Sequence, residues 1–295
     1  MDIASNEFLL CLANNRNNRM SKCAIIGGGF VGRATSILCG PDSIIFDLRP
    51  ELCRPPGCAW KDVLGCDMVF VCVPTPMDPA TGECHLGAVL SVLDRLQGFH
   101  GDIILRSTVP VGTSDKLGVH FLPEFLTEKN WERDVRSCSQ WIIGTDDPSL
   151  ADRFTNVLSR SVAQGIISSD RTCRIRPSEA EAVKLFRNNF LAVKVAFCNE
   201  WSSFCLAAGI DYEAVRHHAT LDPRIGSSHT HVPGHDGRPG FGGTCLPKDL
   251  ASSIHQFRTR DVPCPVLTSA RMRNDEVDRS DKDWESDVGR SIIRR

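Results

Sequence analysis

The stretch Gly27-Gly28-Gly29-Phe30-Val31-Gly32 constrains the fold of this chain more than any other. It sits between a short apolar run, Ala24-Ile25-Ile26, and Arg33-Ala34-Thr35-Ser36-Ile37-Leu38, whose apolar positions fall at helical spacing. Glycine adopts positive φ without penalty and lets a ligand or another strand come against the main chain. A lone GxGxxG is weak evidence, but placed between a buried strand and a helix it has the context that binds a dinucleotide pyrophosphate at a helix N-terminus. Gly27, Gly29, Phe30, Val31 and Gly32 are therefore candidate cofactor contacts. The next strand, Ser43-Ile44-Ile45-Phe46, ends in Asp47, twenty positions after Gly27. An acidic residue there accepts hydrogen bonds from the adenosine ribose and repels a 2′-phosphate, which argues for NAD over NADP; Arg49 is the one feature that softens the preference.

The pattern downstream repeats strand and helix. Only nineteen residues, holding Pro50, Pro55, Pro56 and Gly57, separate Asp47 from the strand Asp67-Met68-Val69-Phe70-Val71-Cys72-Val73. That is too few for a helix, a strand and a second helix, so this part of the fold is abbreviated. The strand runs into Pro74-Thr75-Pro76, a helical pattern follows over 86–96, and the strand Asp102-Ile103-Ile104-Leu105-Arg106 leads into Ser107-Thr108-Val109-Pro110-Val111-Gly112-Thr113. Hydroxyl-bearing loops at the carboxyl ends of such strands lie where a dinucleotide binds, which makes Thr75 a cofactor-side candidate; a plain proline-rich turn is the alternative. The alternation predicts an α/β fold, a Rossmann-type doubly wound parallel sheet. In Pro123-Glu124-Phe125-Leu126-Thr127-Glu128 the two carboxylates share one side if the segment is helical, as a site or as a solvated acidic face. Trp141-Ile142-Ile143-Gly144 reads as a late strand, and Asp147-Pro148 as the opening of the next helix.

After Pro177 the character becomes helical. A start at Ser178-Glu179-Ala180-Glu181 and a stop at Gly209 predict one helix of about thirty residues, against a usual ~11 to 12. Its apolar positions, among them Val183, Phe186, Phe190, Val193, Phe197 and Phe204, cover more than one face, as in a helix that links domains and carries a subunit interface. Lys184 and Asn188, four apart, project from one side, where a Lys and Asn pair suits a developing oxyanion. Farther on, Pro239-Gly240-Phe241-Gly242-Gly243-Thr244-Cys245-Leu246-Pro247-Lys248-Asp249-Leu250 delivers one cysteine with a cation and a carboxylate beside it. A thiol so placed ionises readily and can act as a nucleophile, whereas an isolated motif of this kind is more often a glycine turn holding a half-buried cysteine. The expected organisation is a flexible extension over 1–21, an NAD-binding domain over 22–176, a mainly helical substrate and dimerisation domain over 177–275 built on the long helix, and a tail over 276–295.

Composition narrows the partners. A net charge of −2 leaves no electrostatic footprint for nucleic acid or an anionic membrane. No apolar run approaches the ~18 to 20 residues that span a bilayer, and the apolar stretch 8–13 follows acidic rather than basic residues, unlike a signal peptide. A cytoplasmic protein is expected. The fourteen cysteines form no Cys-x-x-Cys pair, and neither they nor His229, His231 and His235 match a zinc spacing, so no metal is expected.

Taken together, 25–32, 73–76, 107–113, 123–128, 181–188, 222–226 and 240–249 resemble, in order, the motifs of the UDP-glucose/GDP-mannose 6-dehydrogenase family over roughly residues 22 to 275. Ser227-Ser228-His229, Val232-Pro233-Gly234 and Asp236-Gly237 most resemble its short UDP-glucose 6-dehydrogenase members, which lack the C-terminal nucleotide-binding domain. The resemblance implies an NAD-dependent, two-step oxidation of a nucleotide-sugar C6 alcohol to a carboxylate through a cysteine adduct. It implies Cys245 as nucleophile, Lys184 and Asn188 as oxyanion stabilisers and sugar contacts, and Asp249 with Thr108 handling a proton through water. Thr108 would also face the nicotinamide. Glu124 matches the carboxylate that assists thioester hydrolysis, and Glu128 a contact to cofactor or sugar. Phe125, Leu126, Phe241 and Gly242 would line the sugar-nucleotide pocket, and Arg224 would reach the site of a second copy in a homodimer. UDP-glucose is the leading substrate and GDP-mannose the nearest alternative. A non-catalytic NAD-binding or assembly subunit is the alternative of another class, and a two-electron hydroxy-acid dehydrogenase would leave the cysteine loop unexplained.

Overall fold

A computed structural model of the chain describes residues 21–293; apart from Ser21, the extension expected over 1–21 lies outside the described residues. The chain divides into two compact units. One takes the chain up to Val73, then Ser91–Ser107 and Val111–Glu181; the other takes Pro74–Leu90, Thr108–Pro110 and everything from Ala182 onward.

The first unit is built on a seven-stranded sheet of β1 (Cys23–Ile26), β2 (Ile44–Phe46), β3 (Met68–Val71), β4 (Asp102–Leu105), β5 (His120–Phe121), β6 (Trp141–Gly144) and β7 (Thr172–Ile175), in the order β2-β1-β3-β4-β5-β6-β7. Its helices are α1 (Phe30–Cys39), α2 (Trp60–Leu64), α3 (Gly87–Arg95, whose first residues belong to the other unit), α4 (Thr113–Leu117), α5 (Trp131–Arg136) and α6 (Pro148–Ala163). Every residue of β1 and β3 is buried, as in a parallel sheet covered on both faces. Ile25, Phe70, Ile104, Leu122, Ile143, Leu150 and Phe154 form the centre of one apolar cluster. Each such side chain contributes about 1.5–3 kcal/mol by leaving water. Asp147 caps α6 by accepting from Ser149 N at 2.8 Å, and Pro148 occupies the first turn, as the sequence predicts.

Two local expectations are corrected, on the sheet and on 122–126, and the abbreviation expected after Asp47 is present. The sheet is not parallel throughout, because β5 pairs antiparallel with β6 at Phe121↔Gly144. β5 is two residues long, and Pro123 has no N–H to extend the ladder, so the chain leaves the sheet and returns from the opposite direction. Residues 122–126 are not helical, so Glu124 and Glu128 do not share a helix face; Glu124 is buried and Glu128 exposed. The abbreviated segment after Asp47 holds a 3₁₀ turn (Pro50–Leu52) and α2. It is fastened by Trp60, which meets Phe46 edge-on at 5.3 Å and carries the Arg95 guanidinium 3.9 Å above its ring.

The second unit is mainly helical. It contains most of α7 (Pro177–Ala208, 32 residues), then α8 (Tyr212–Ala219), α9 (Leu246–Arg258) and α10 (Pro265–Arg273), with a π-helical turn over Asn274–Asp278. Ala192, Ala196, Phe241, Leu250, Ile254 and Ala270 form its apolar centre. On α7, Phe186, Phe190, Phe197, Trp201 and Phe204 remain 44% to 72% exposed. No described helix is long and apolar enough to cross a membrane.

Candidate active site

In the first unit the glycine turn leaves β1 and opens α1. Gly27 has φ +103, and a methyl group there would overlap the Cys72 carbonyl oxygen; one at Gly32 would overlap the carbonyl of Gly27. These two glycines are therefore required by packing. Gly29 differs, since a methyl there meets nothing within 4 Å, and it stands exposed at the start of α1, whose first turn holds no acidic residue. A surface approached through Gly29, with Phe30 and Val31 starting the helix, is a fitting seat for a pyrophosphate. Asp47 supplies the neighbouring anion. Its Oδ2 accepts from Gly28 N at 2.7 Å and its Oδ1 from Arg49 N at 2.8 Å, so two backbone donors fix the carboxylate beside the turn. Arg49 Nε lies 3.6 Å from Oδ1. The residues present thus fit a dinucleotide with a free ribose hydroxyl pair.

The same unit holds the 123–128 segment. Glu124 is buried, with Oε2 accepting from Leu126 N at 2.8 Å; Phe125 and Leu126 are half-buried. A carboxylate near the start of α7, Glu181, orders the loop after β4. Its oxygens accept from Gly112 N (2.6 Å), Ser114 N (2.7 Å) and Ser114 Oγ (2.7 Å). Burial raises its pKa above the usual carboxylate range, against the lowering effect of those bonds.

The second unit assembles the cysteine loop. Cys245 is half-buried and is the residue from which α9 starts, with Thr244 Oγ1 3.8 Å from its Sγ. One turn on, Lys248 Nζ meets Asp249 Oδ1 at 2.5 Å, and Asn188 Nδ2 donates to Asp249 Oδ2 at 2.6 Å. Lys184, one helical turn before Asn188 on α7, is 3% exposed. Burial acts to lower the Lys248 pKa, but the Asp249 carboxylate and the Cys245 and Cys84 sulfurs outweigh it and hold the ammonium above its ordinary range. Cys84 is different: burial pushes its thiol up to about 11. Thr75 Oγ1 donates to Thr108 O at 2.7 Å, joining the two hydroxyl-bearing loops. Phe241 is buried, and Gly242 half-buried. Arg224 is exposed and doubled back onto Asp222, with Nε 3.0 Å from Oδ1.

Of the sequence candidates, the structure thus brings Asn188 and Asp249 into direct contact, joins Thr75 to Thr108, and sets Gly27, Gly29, Gly32 and Asp47 around one turn. Phe125, Leu126, Glu124 and Glu128 belong to the first unit, and Cys245, Lys184, Arg224, Phe241 and Gly242 to the second. Two residues that fix the cysteine loop carried no motif signal. Asn199 Oδ1 accepts from Gly240 N at 2.9 Å, and Asn274 holds both main-chain groups of Phe241, accepting from its N at 2.7 Å and donating to its O at 3.0 Å. An Asn buried in a helix is the only trace either leaves in the sequence. Among the described residues no group of three or more His, Cys, Asp or Glu is arranged to hold a metal ion.

Residues 59–161 match the NAD binding domain of the UDP-glucose/GDP-mannose dehydrogenase family, and residues 178–276 match the central domain of the same family. The chain belongs to this family. A UDP-glucose 6-dehydrogenase of Rhizobium meliloti is 29% identical over 253 residues, 78% of this chain and 53% of the relative. The UDP-glucose 6-dehydrogenase YwqF of Bacillus subtilis is 32% identical over 211 residues, 66% of this chain and 45% of the relative. The chain spans about half the length of the curated relatives it matches. Among solved structures, a UDP-glucose dehydrogenase of Pyrobaculum islandicum superposes with a TM-score of 0.76 at 23% identity, over 88% of this chain and 69% of that one, a likeness of fold.

Proposed function

We propose that this family member is an NAD-dependent nucleotide-sugar 6-dehydrogenase that oxidises UDP-glucose to UDP-glucuronate in two steps. The observation that carries the reading is the cluster at the start of α9: the Cys245 thiol with a half-buried ammonium at Lys248 and a buried carboxylate at Asp249 that is shared with Asn188. A binding module has no use for a thiol set beside such an ion pair.

NAD, when bound, takes up the hydride at each oxidation. The remaining work falls to the chain. Asp47 receives the ribose hydroxyls, and the turn at Gly29 admits the pyrophosphate to the first turn of α1. A cation one turn from a thiol favours the thiolate, so Lys248 prepares Cys245 to add to the C6 aldehyde. The resulting thiohemiacetal loses its second hydride to leave a thioester on Cys245, and water then releases the acid. Lys184 and Asn188 stabilise the oxyanions. Asp249, with Thr108, takes the alcohol proton through water, and Glu124 assists the hydrolytic water. Phe125, Leu126, Phe241 and Gly242 receive the sugar nucleotide, and Glu128 contacts cofactor or sugar.

The protein acts as a homodimer through α7 in this reading, with Arg224 reaching the partner's site. The five exposed aromatics of α7 fall within about 60° of one another at 3.6 residues per turn, so they form one stripe. A contiguous aromatic stripe of this kind marks an interaction surface. A reducing cytoplasmic setting suits a thiol nucleophile.

The test is turnover of the purified protein with NAD and, in parallel, UDP-glucose and GDP-mannose. Two NADH per UDP-glucose and a carboxylate product are expected. One NADH with an aldehyde product would sink the two-step reading, and faster turnover of GDP-mannose would replace the sugar. Cys245→Ala is expected to bind NAD normally and to form no acid.

A further inference from the structure

The half of the cysteine loop that precedes Cys245 is held by a buried arginine outside every motif read from the sequence. Arg279 follows the π-helical turn and its side chain is 1% exposed. Its Nε donates to Pro239 O at 2.8 Å, its Nη1 to Asp283 Oδ2 at 2.7 Å, and its Nη2 to Asp236. The guanidinium presses on Gly242, where an added methyl group would overlap Nη1. A methyl at Gly240 would come within 2.5 Å of Asn274 Oδ1. Arg238 extends the clasp, with Nη2 2.8 Å from Asp281 and Nη1 3.1 Å from Asp283.

The π turn explains how one short segment reaches the loop twice. Residues five apart on an α-helix diverge by about 140°, so Asn274 and Arg279 would face different ways. The bond from Arg279 N to Asn274 O, at 2.7 Å, spans five residues, and the wider turn it closes brings both side chains round to the loop. Asn274 then fixes the main chain of Phe241, and Arg279 fixes Pro239 and Asp236.

We propose that Arg279 is a positioning residue for the nucleophile: through Asp236, Pro239 and Gly242 it sets the main-chain path of the loop and thereby the orientation of Cys245. The assignment rests on the reading of Cys245 as nucleophile, and its planar fork is the feature that matters. A lysine keeps the charge but cannot bond Pro239, Asp236 and Asp283 at once.

The experiment compares wild type, Arg279→Lys and Asp236→Asn in the full chain. Peptide-resolved mass spectrometry reads the iodoacetamide alkylation rate of Cys245, with Cys264 and Cys138 as internal controls; circular dichroism reports folding, and kcat and KM are measured for UDP-glucose and NAD. In Arg279→Lys, the Cys245 rate is expected to change at least threefold with both controls unmoved. The kcat is expected to fall at least tenfold while KM for NAD stays within twofold. Asp236→Asn removes one of the three anchors and should shift the same readouts less, which keeps the test open if Arg279→Lys does not fold. Folded variants with wild-type Cys245 reactivity and kcat would overturn the proposal, as would a uniform change at all three cysteines. If Cys245→Ala still makes acid, the reading of function fails, while the alkylation rates still decide whether Arg279 positions the loop.

Discussion

Asn188 Nδ2 donates a 2.6 Å hydrogen bond to Asp249 Oδ2 while Lys248 Nζ occupies Oδ1, so one buried carboxylate joins the long helix to the helix that starts at Cys245. Asp249 is 2% exposed and the Lys248 side chain 12%. Removing one partner of such a pair strands the other charge, at about 3–5 kcal/mol. Asp249→Asn is therefore expected to lower the denaturant midpoint by a stability loss in that range. Adding Lys248→Met to it should recover more than half, because no buried charge is then left uncompensated. Equal destabilisation in the single and double variants would count against this account.

The glycine turn predicts a separation of roles. Gly27→Ala meets both positive φ and the Cys72 carbonyl, and should cost stability by about 1–3 kcal/mol or prevent folding. Gly29→Ala should unfold at the wild-type temperature, since the added methyl meets open space, yet weaken NAD binding at least tenfold by blocking approach to the main chain. Thermal melts and NAD titrations of the two variants check the contrast.

In the proposed function Asp47 sets the choice of cofactor. Asp47→Asn removes the charge-assisted bonds to the ribose, worth about 1.5–3 kcal/mol, so NAD affinity should fall roughly ten- to a hundredfold. The NAD to NADP preference, read as a ratio of kcat/KM, should narrow by a similar factor. An unchanged ratio would place the ribose elsewhere.

Glu181 predicts a pH dependence of unusual sign. Its folded pKa lies above the unfolded value, raised by burial. Between those two values the folded chain binds more protons than the unfolded one, so stability falls as pH rises through that window. The effect is complete once pH exceeds the folded pKa. Denaturant unfolding of wild type from about pH 4 upward should show this decline, counted from an unfolded glutamate near ~4.3, and Glu181→Gln should lack that part of the slope.

The aromatic stripe on α7 predicts assembly. Phe190→Asp and Phe197→Asp place a charge on the exposed stripe and should convert a dimer to a monomer in sedimentation velocity, with far-UV circular dichroism unchanged. A monomer in wild type would remove the dimer from the functional reading.

The parts of the fold legible in the sequence were those specified by local pattern. The glycine turn, Asp47 and the thirty-two-residue helix each announce themselves within a few residues, because sterics, strand ends and helical period act over that distance. Glu124 and Glu128 misled, because a four-residue spacing is meaningful only if the segment is helical, and Pro123 at the end of a two-residue strand takes it out of regular structure. The antiparallel step at β6 was hidden for the same reason: one residue pair sets it, and no periodicity reports on a single pair. Cys245, Lys248 and Asp249 were visible as neighbours in sequence, and Asn188 as the companion of Lys184 on one helix face, but its bond to Asp249, 61 positions away, was not. Asn199 and Asn274 were not visible, and Glu181 only as part of a helix start and a motif, since a buried polar side chain is defined by what it bonds 33 to 69 positions away.

The route of the chain between its two units carries a practical consequence. It changes unit after Val73, Leu90, Ser107, Pro110 and Glu181, so strips 74–90 and 108–110 belong with residues that come much later. Met77, for example, is buried with Ala251 and Trp284, and the half-buried Ile292 packs against them. A gene fragment ending near residue 176 would therefore carry an orphaned apolar strip, and one beginning near residue 177 would lack part of its own core. The two units are separable on paper and interlaced in the chain: they can be exchanged between relatives only as a patchwork of segments, never by a single splice.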